Sequence, residues 1–170
     1  MRTAPSGTQL ELPSGLGLRP VATDDMPLLE RIYASTRTAE LAQTDWDDAQ
    51  KAAFLSFQFH AQHQHYGIHY ADAERFVIEQ DGKVVGRLYL HWRHDELRIV
   101  DITLLPEHRG AGIGGTLLHA LCALAQSHTL NVSIHVEKMN PAMALYRRLG
   151  FIRVGEHGVY DLMRWSANAG

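Results

Sequence analysis

The chain holds one cysteine in 170 residues, carries no surplus of positive charge, and has no apolar run of membrane-spanning length. A single thiol, Cys122, excludes an intramolecular disulfide and suits a reducing, cytoplasmic setting. Its apolar neighbours at helical spacing make it a small core residue rather than a nucleophile. No stretch approaches the roughly 18–20 consecutive apolar residues of a transmembrane helix, so no membrane partner is expected. Sixteen Lys and Arg against nineteen Asp and Glu give a formal charge of −3, which offers no basic face to nucleic acid. Residues 1–14 lack the basic-then-apolar order of a secretory signal and read as a flexible polar arm. With 45% hydrophobic and 21% charged residues, 15–166 make a single globular domain long enough for a proper core. Repeats and low-complexity stretches are absent.

Histidine is abundant, at eleven residues. His60 and His63 are three apart and His65 and His69 four apart, which is ligand spacing on a helix. The two pairs face different ways around that helix, acidic and Cys partners are missing, and no His-Glu-x-x-His pattern occurs. No metal is expected.

Along the chain, residues 16–19 read as a first strand. Thr23 then offers an N-cap, with Asp24 and Asp25 in the first turn and Met26, Leu29, Ile32 and Tyr33 on one face. Residues 45–70 read as a second helical region, with Ala49, Ala52, Ala53 and Phe57 on its inner stripe. Three runs follow at short spacing: 76–80, the tight-turn dipeptide Asp81-Gly82, 84–91, and 97–105. Strands so closely linked must be antiparallel neighbours. A helix over 114–127 and a strand over 132–136 come next. Asn140 caps a further helix with Pro141 at its first position, Gly150 stops it, and a hairpin around His157-Gly158 ends the chain.

Between the third strand and the helix after it stands Pro106-Glu107-His108-Arg109-Gly110-Ala111-Gly112-Ile113-Gly114-Gly115. A glycine-dense turn opening a helix leaves backbone N–H groups pointing one way at the positive end of the helix dipole, a site suited to phosphate oxygens. Taken literally, Gly110-x-Gly112-x-x-Gly115 matches the dinucleotide fingerprint, with Glu137 placed 22 residues after Gly115. The context opposes that reading, because the fingerprint belongs in the first turn of a βαβ array. Here it falls past mid-chain, behind hairpin strands.

Arg109-x-x-Gly112-x-Gly114, led in by Leu104-Leu105-Pro106, resembles the acyl-CoA signature of the GNAT superfamily of N-acetyltransferases. Asn140-Pro141-Ala142-Met143-Ala144-Leu145-Tyr146-Arg147-Arg148-Leu149-Gly150-Phe151 resembles that superfamily's second motif. The two occur in order, about 30 residues apart. The resemblance covers residues 16–165 and is strongest over 99–151. It implies an α+β fold, with a mixed, mostly antiparallel sheet of about seven strands flanked by about four helices. It also implies acetyl-CoA as co-substrate and a primary amine, on a small molecule or a peptide, as acceptor.

On that resemblance, Gly110, Ala111, Gly112, Ile113, Gly114 and Gly115 would hold the pyrophosphate, with Arg109 and the Thr116 hydroxyl beside them. Ile102 and Leu104, equivalent along their strand, would pair main-chain groups with the pantetheine amides, and N–H groups there would stabilise an oxyanion. Asn140 would bond the pantetheine. Tyr146 would protonate the departing thiolate, since a phenol pKa near 10 against a thiol near 8.5 keeps it protonated at neutral pH. Each has a plainer alternative: Arg109 bracing the turn, Asn140 capping its helix, Tyr146 packing in the core. Asp101, Glu137, His91 and His135 are the candidates for a base. By fold analogy alone the second helical region, with Gln58, Phe59, Gln62, His65 and Tyr66, would wall the acceptor pocket, and Gln62, His65, Tyr66 and Asp101 are its candidate substrate residues. A CoA-binding or sensing module without transfer activity, and a homodimer through the C-terminal strands, stay open.

Overall fold

The computed structural model describes residues 9–167. Seven strands form one sheet in the order β1-β2-β3-β4-β5-β7-β6. They are β1 (Leu16–Pro20), β2 (Glu74–Gln80), β3 (Lys83–Trp92), β4 (Glu96–Leu104), β5 (Asn131–Glu137), β6 (Ile152–His157) and β7 (Tyr160–Trp165). All neighbours run antiparallel except β4 and β5, which are parallel. Five α-helices accompany them: α1 (Met26–Ser35), the single turn α2 (Thr38–Leu41), α3 (Asp48–His69), α4 (Ile113–Ser127) and α5 (Met143–Arg148). The seven-stranded mixed sheet and the α+β class are as the sequence implies; the extra helix is α2.

Two cores flank the sheet. On one face α4 and α5 bury Leu117, Leu118, Leu121 and Tyr146 against Leu88, Leu90, Leu97, Ile99 and Ile134. On the other, Leu29, Ile32 and Tyr33 of α1 and Phe59 of α3 meet Val77 and Leu105. Cys122 is buried in the first core, where burial alone pushes its thiol up to about 12. Of the expected arm, residues 1–8 lie outside the described residues. In residues 9–14, Leu10 and Leu12 pack against the α4 core.

Three local expectations need correction. Thr23 does not cap α1; residues Thr23–Asp25 form a 3₁₀ turn instead. Asp25 organises the entry, its carboxylate accepting from the Ala22 N–H at 2.6 Å and from both terminal nitrogens of Arg19 at 2.9 Å. The stripe Ala49, Ala52, Ala53 and Phe57 faces solvent, Phe57 being 74% exposed. Packing of Phe59 fixes the phase of α3, and Leu55, Phe59, Gln62 and Tyr66 follow on its inner side at helical spacing. That helix starts at an Asp47–Gln50 capping box, in which Asp47 accepts from the Gln50 N–H at 2.7 Å. Finally, α5 begins at Met143 rather than at Pro141, and Asn140 caps the turn before it by accepting from the Ala142 N–H at 2.8 Å.

A bulge shapes β4. Tyr89 lies opposite Asp101 but Leu90 opposite Ile99, so Val100 is the extra residue. Leu97 and Ile99 face α4, and so do Ile102 and Leu104, a step of three that alternation alone would forbid. Asp101 and Thr103 are thereby turned to the α3 side.

Gly86 marks how tightly β3 and β4 approach: a Cβ there would stand 2.2 Å from the Thr103 carbonyl oxygen. Gly86→Ala is expected to cost about 2 kcal/mol, read as a fall in melting temperature of about 5 °C. An unchanged melting temperature would show that the strands can shift freely here. The Arg19 hydrogen bonds, with that from Ala22, hold the Asp25 carboxyl below its usual range. Because the folded value is depressed, this stabilisation is present above about pH 4 and is lost as pH falls through the folded value. Asp25→Asn should therefore lower the melting temperature at pH 7 and flatten its acid decline.

Candidate active site

The parallel pair β4–β5 is the origin of the site. Its ladder runs only from Glu96 opposite Asn131 to Ile99 opposite Ile134, after which the strands part. The Leu105 N–H donates to the Val85 carbonyl at 2.8 Å, so main-chain groups of Leu105, Thr103 and Asp101 point to β3. Those of Ile102 and Leu104, one residue out of phase, point into the gap.

At the head of the gap the chain turns through residues 105–112 into α4. Gly110 and Gly112 have φ of +79° and +85°, a region where a side chain is strained, and no atom lies within 4 Å of where their Cβ would stand. Among the described residues, none of the six N–H groups from Gly110 to Gly115 donates to an acceptor. The next, of Thr116, is the first taken up within the helix, by the Gly112 carbonyl at 3.0 Å. Six unpaired donors at a 15-residue helix's positive end form an anion cradle. Arg109 braces it, its Nε donating to the Leu104 carbonyl at 3.0 Å. A groove of about 1000 Å³ continues from Gly112, Gly115 and Thr116 between α4 and α5.

Tyr146 stands on α5, 5% exposed, its ring edge-on to Phe151 at 5.5 Å. Its ring belongs to the core, and no hydrogen bond to its hydroxyl is found among the described residues. Burial pushes its pKa up, and the Asp101 carboxylate pushes it further. Asp101 is therefore close enough for its charge to be felt at the phenol. Asn140 uses its side-chain oxygen as a cap.

The α3 side of β4 carries a polar cluster. Asp101 accepts from Arg87 Nη2 at 2.7 Å and from the Thr103 hydroxyl at 2.6 Å, with the Tyr66 hydroxyl at 3.4 Å. Arg87 also donates to Gln62 at 3.1 Å. Of the four candidate substrate residues, Gln62, Tyr66 and Asp101 come together. His65 does not: it is exposed, beside His69 at 4.3 Å. Arg87 and Thr103 escaped the sequence reading. The available signal was an arginine inside the apolar run Val84-Val85-Gly86-Arg87-Leu88-Tyr89-Leu90, which must find a buried carboxylate. Arg87 is 2% exposed; burial opposes its charge, and Asp101 together with the Tyr89 and Tyr66 phenols outweighs that and raises its pKa. Burial likewise raises the phenols of Tyr66 and Tyr89.

Among the base candidates, His91 is held by Asp72 at 2.9 Å at the far end of β3. His135 lies against Arg98 at 3.4 Å, where burial and then the Arg98 charge lower its pKa. Glu137 is exposed at the end of β5. Only Asp101 stands beside the gap and is felt at Tyr146. No group of three or more His, Cys, Asp or Glu among the described residues is placed to hold a metal ion, and no described helix is long and apolar enough to cross a membrane.

An anion cradle and an open strand edge border one gap, with Tyr146 on the neighbouring helix α5. Residues 33–151 match the model of the Acetyltransferase (GNAT) family, and the chain belongs to that family. A Bacillus subtilis (strain 168) protein provisionally named ribosomal protein bS18-alanine N-acetyltransferase is 32% identical over 81 residues, 46% of this chain and 53% of that protein. Streptothricin acetyltransferase of Streptomyces lavendulae is 36% identical over 91 residues, 50% of this chain and 48% of that one. The chain thus spans about half the length of these curated relatives. Among solved structures, the PaiA N-acetyltransferase of Thermoplasma acidophilum, in complex with coenzyme A, superposes with a TM-score of 0.66 at 14% identity, over 89% of this chain and 98% of that one. At that identity the likeness concerns the fold.

Asp101→Asn would leave Arg87 buried without its counter-charge, at an expected cost of about 3 kcal/mol and a fall in melting temperature of about 6–10 °C. Adding Arg87→Met should recover much of the loss. A single variant as stable as the parent would show that the pair contributes nothing to the fold.

Proposed function

We propose that the chain is an acetyl-CoA-dependent N-acetyltransferase that acylates a primary amine by direct attack. The observation that carries this reading is the gap between β4 and β5, with the cradle at its head and Tyr146 on its flank. The cradle N–H groups would take the pyrophosphate oxygens, as Arg109 holds the turn against β4. The outward main-chain groups of Ile102 and the N–H of Leu104 suit the amides of an extended pantetheine arm, which would complete β4 where β5 leaves it. The Asn140 amide nitrogen is available as a further donor, its oxygen being engaged.

The acceptor nitrogen attacks the thioester carbonyl, main-chain N–H groups hold the oxyanion, and the C–S bond breaks with sulfur leaving as thiolate. A phenol is a weaker acid than a thiol, and burial raises the Tyr146 pKa further. Tyr146 therefore donates a hydrogen bond to sulfur as the bond breaks, and full protonation draws on the proton the amine gives up. Asp101, beside the gap, would receive that proton, directly or through water. Gln62 and Tyr66 wall the acceptor side.

Tyr146→Phe should reduce turnover about a hundredfold with little change in acetyl-CoA affinity, measured by thiol release and by calorimetry. Equal turnover would remove Tyr146 from the mechanism. A chain stabilised by acetyl-CoA that releases no thiol with any amine of a broad panel would be a CoA-binding module instead. Stabilisation by NAD and not by acetyl-CoA would return the glycine turn to the dinucleotide reading.

A further inference from the structure

The face of the sheet that carries Asp101 continues past the gap onto β5, β7 and β6, and there its positive charges outnumber their partners. The core under α1 and α3 draws nothing from these three strands. Parity puts Ser133 and His135 of β5 on this face, since Val132, Ile134 and Val136 belong to the α4 core. Arg98 stands opposite Ser133 on β4, and Arg164 stands opposite it on β7. Two arginines thus bracket Ser133, which is fully buried, and Arg98 Nε donates to its hydroxyl at 2.7 Å. Among the described residues, the carboxylate in contact with this row is Glu96, shared between Arg98 at 2.9 Å and Arg93 at 3.2 Å. The Arg164 guanidinium, half-buried, makes no ion pair or hydrogen bond among the described residues. Of the other acids on this side, Asp101 is held by Arg87 and Thr103, Asp72 by His91, and Glu137 stands two residues beyond His135. Burial first, and then the charges of Arg98, His157 and Arg93, lower the His135 pKa, so the positive field reaches the lip of the gap.

We propose that this face selects an acidic peptide as acceptor, its amine entering the gap beside Asp101 while a carboxylate from its second or third residue pairs with Arg164, in the field of Arg98. This rests on the N-acetyltransferase reading above and narrows its acceptor. Ser133 lies two residues along β5 from His135, about 7 Å, and Arg164 lies one strand further across, about 5 Å. An extended peptide covers roughly 3.3–3.6 Å per residue, so two or three residues span that interval. The order of charge matches such a ligand: the Asp101 carboxylate draws an arriving ammonium, and the guanidiniums stand where the acidic side chain falls. The openness of the face suits a chain. His135 and Ile152 are exposed and Leu162 is half-buried, whereas small ligands are enclosed in concave sites. Ile152, 61% exposed and level with Arg164, offers apolar contact to a neighbouring side chain of the peptide.

The test measures thiol release from acetyl-CoA with amidated peptides Ala-X-X-Gly, in which X-X is Asp-Asp, Ser-Ser or Arg-Arg. The parent should use the acidic peptide with a kcat/KM about tenfold above the neutral one, the difference lying in KM, and the arginine peptide should be poorest. Added salt should shrink the preference. In Arg164→Gln the acidic and neutral peptides should be used alike, and Arg164→Lys should keep part of the preference, since the charge remains. A preference intact in Arg164→Gln would overturn the assignment to Arg164. Equal kcat/KM for the three peptides in the parent would overturn the acidic acceptor; in both cases the transferase reading stands. Thiol release with 6-aminohexanoate, a small acid of similar reach, but with none of the peptides would overturn the peptide and leave that reading standing too. If no amine releases thiol, the transferase reading fails, and the acceptor proposal with it.

Discussion

Everything at the site depends on two parallel strands that stop pairing after four residues. Past Ile99 and Ile134 the strands separate, and β4 is left with one edge bonded to β3 and the other open. An open edge inside a sheet is costly unless something bonds to it, because main-chain donors and acceptors need partners. An extended ligand carrying amides can meet that need with no side chain involved. The turn into α4 meets the same constraint at right angles. Its six N–H groups find no acceptor among the described residues because a helix start cannot satisfy its own first donors, and glycines at positive φ aim them outward. The gap is thus bounded by two unfinished hydrogen-bond systems, one from a strand and one from a helix.

The glycine turn and the antiparallel strands before it were legible because their signals are local: Asp81-Gly82 fixes one hairpin, and Gly110 and Gly112 occupy conformations that few other residues tolerate. The order of elements followed from such signals. What escaped depended on partners distant in sequence. Ala49, Ala52, Ala53 and Phe57 form a plausible stripe, yet a helix of low mean hydropathy takes its rotation from whatever it meets, here through Phe59. Thr23 is a sound cap by type, but Asp25 is bonded to Arg19 on β1 and draws the chain into a 3₁₀ turn first.

The bulge at Val100 is the clearest case. Strict alternation from Leu97 and Ile99 would send Asp101 into the apolar core under α4, where a carboxylate has no partner. One inserted residue reverses the parity, so Asp101 meets Arg87 while Ile102 and Leu104 return to the core. Nothing in the run Ile99-Val100-Asp101-Ile102 signals the insertion by itself. The combination of Asp101 with an arginine buried on the neighbouring strand does, because each residue is tolerable inside only if the other is there.

That pairing also bears on why the cluster is kept. A buried ion pair adds little net stability over an apolar pair of similar volume, so stability alone does not account for Arg87 and Asp101. Their value is positional. Arg87 grips Asp101 on one side and Gln62 of α3 on the other, tying that helix to β4. Thr103 fixes the second carboxylate oxygen. The bulged strand therefore does three separate things: one face closes the core with α4, one face holds a carboxylate in register with α3, and one edge is left open past Ile99. Asp101 is thereby held at both carboxylate oxygens, and its charge is felt at the buried Tyr146 phenol.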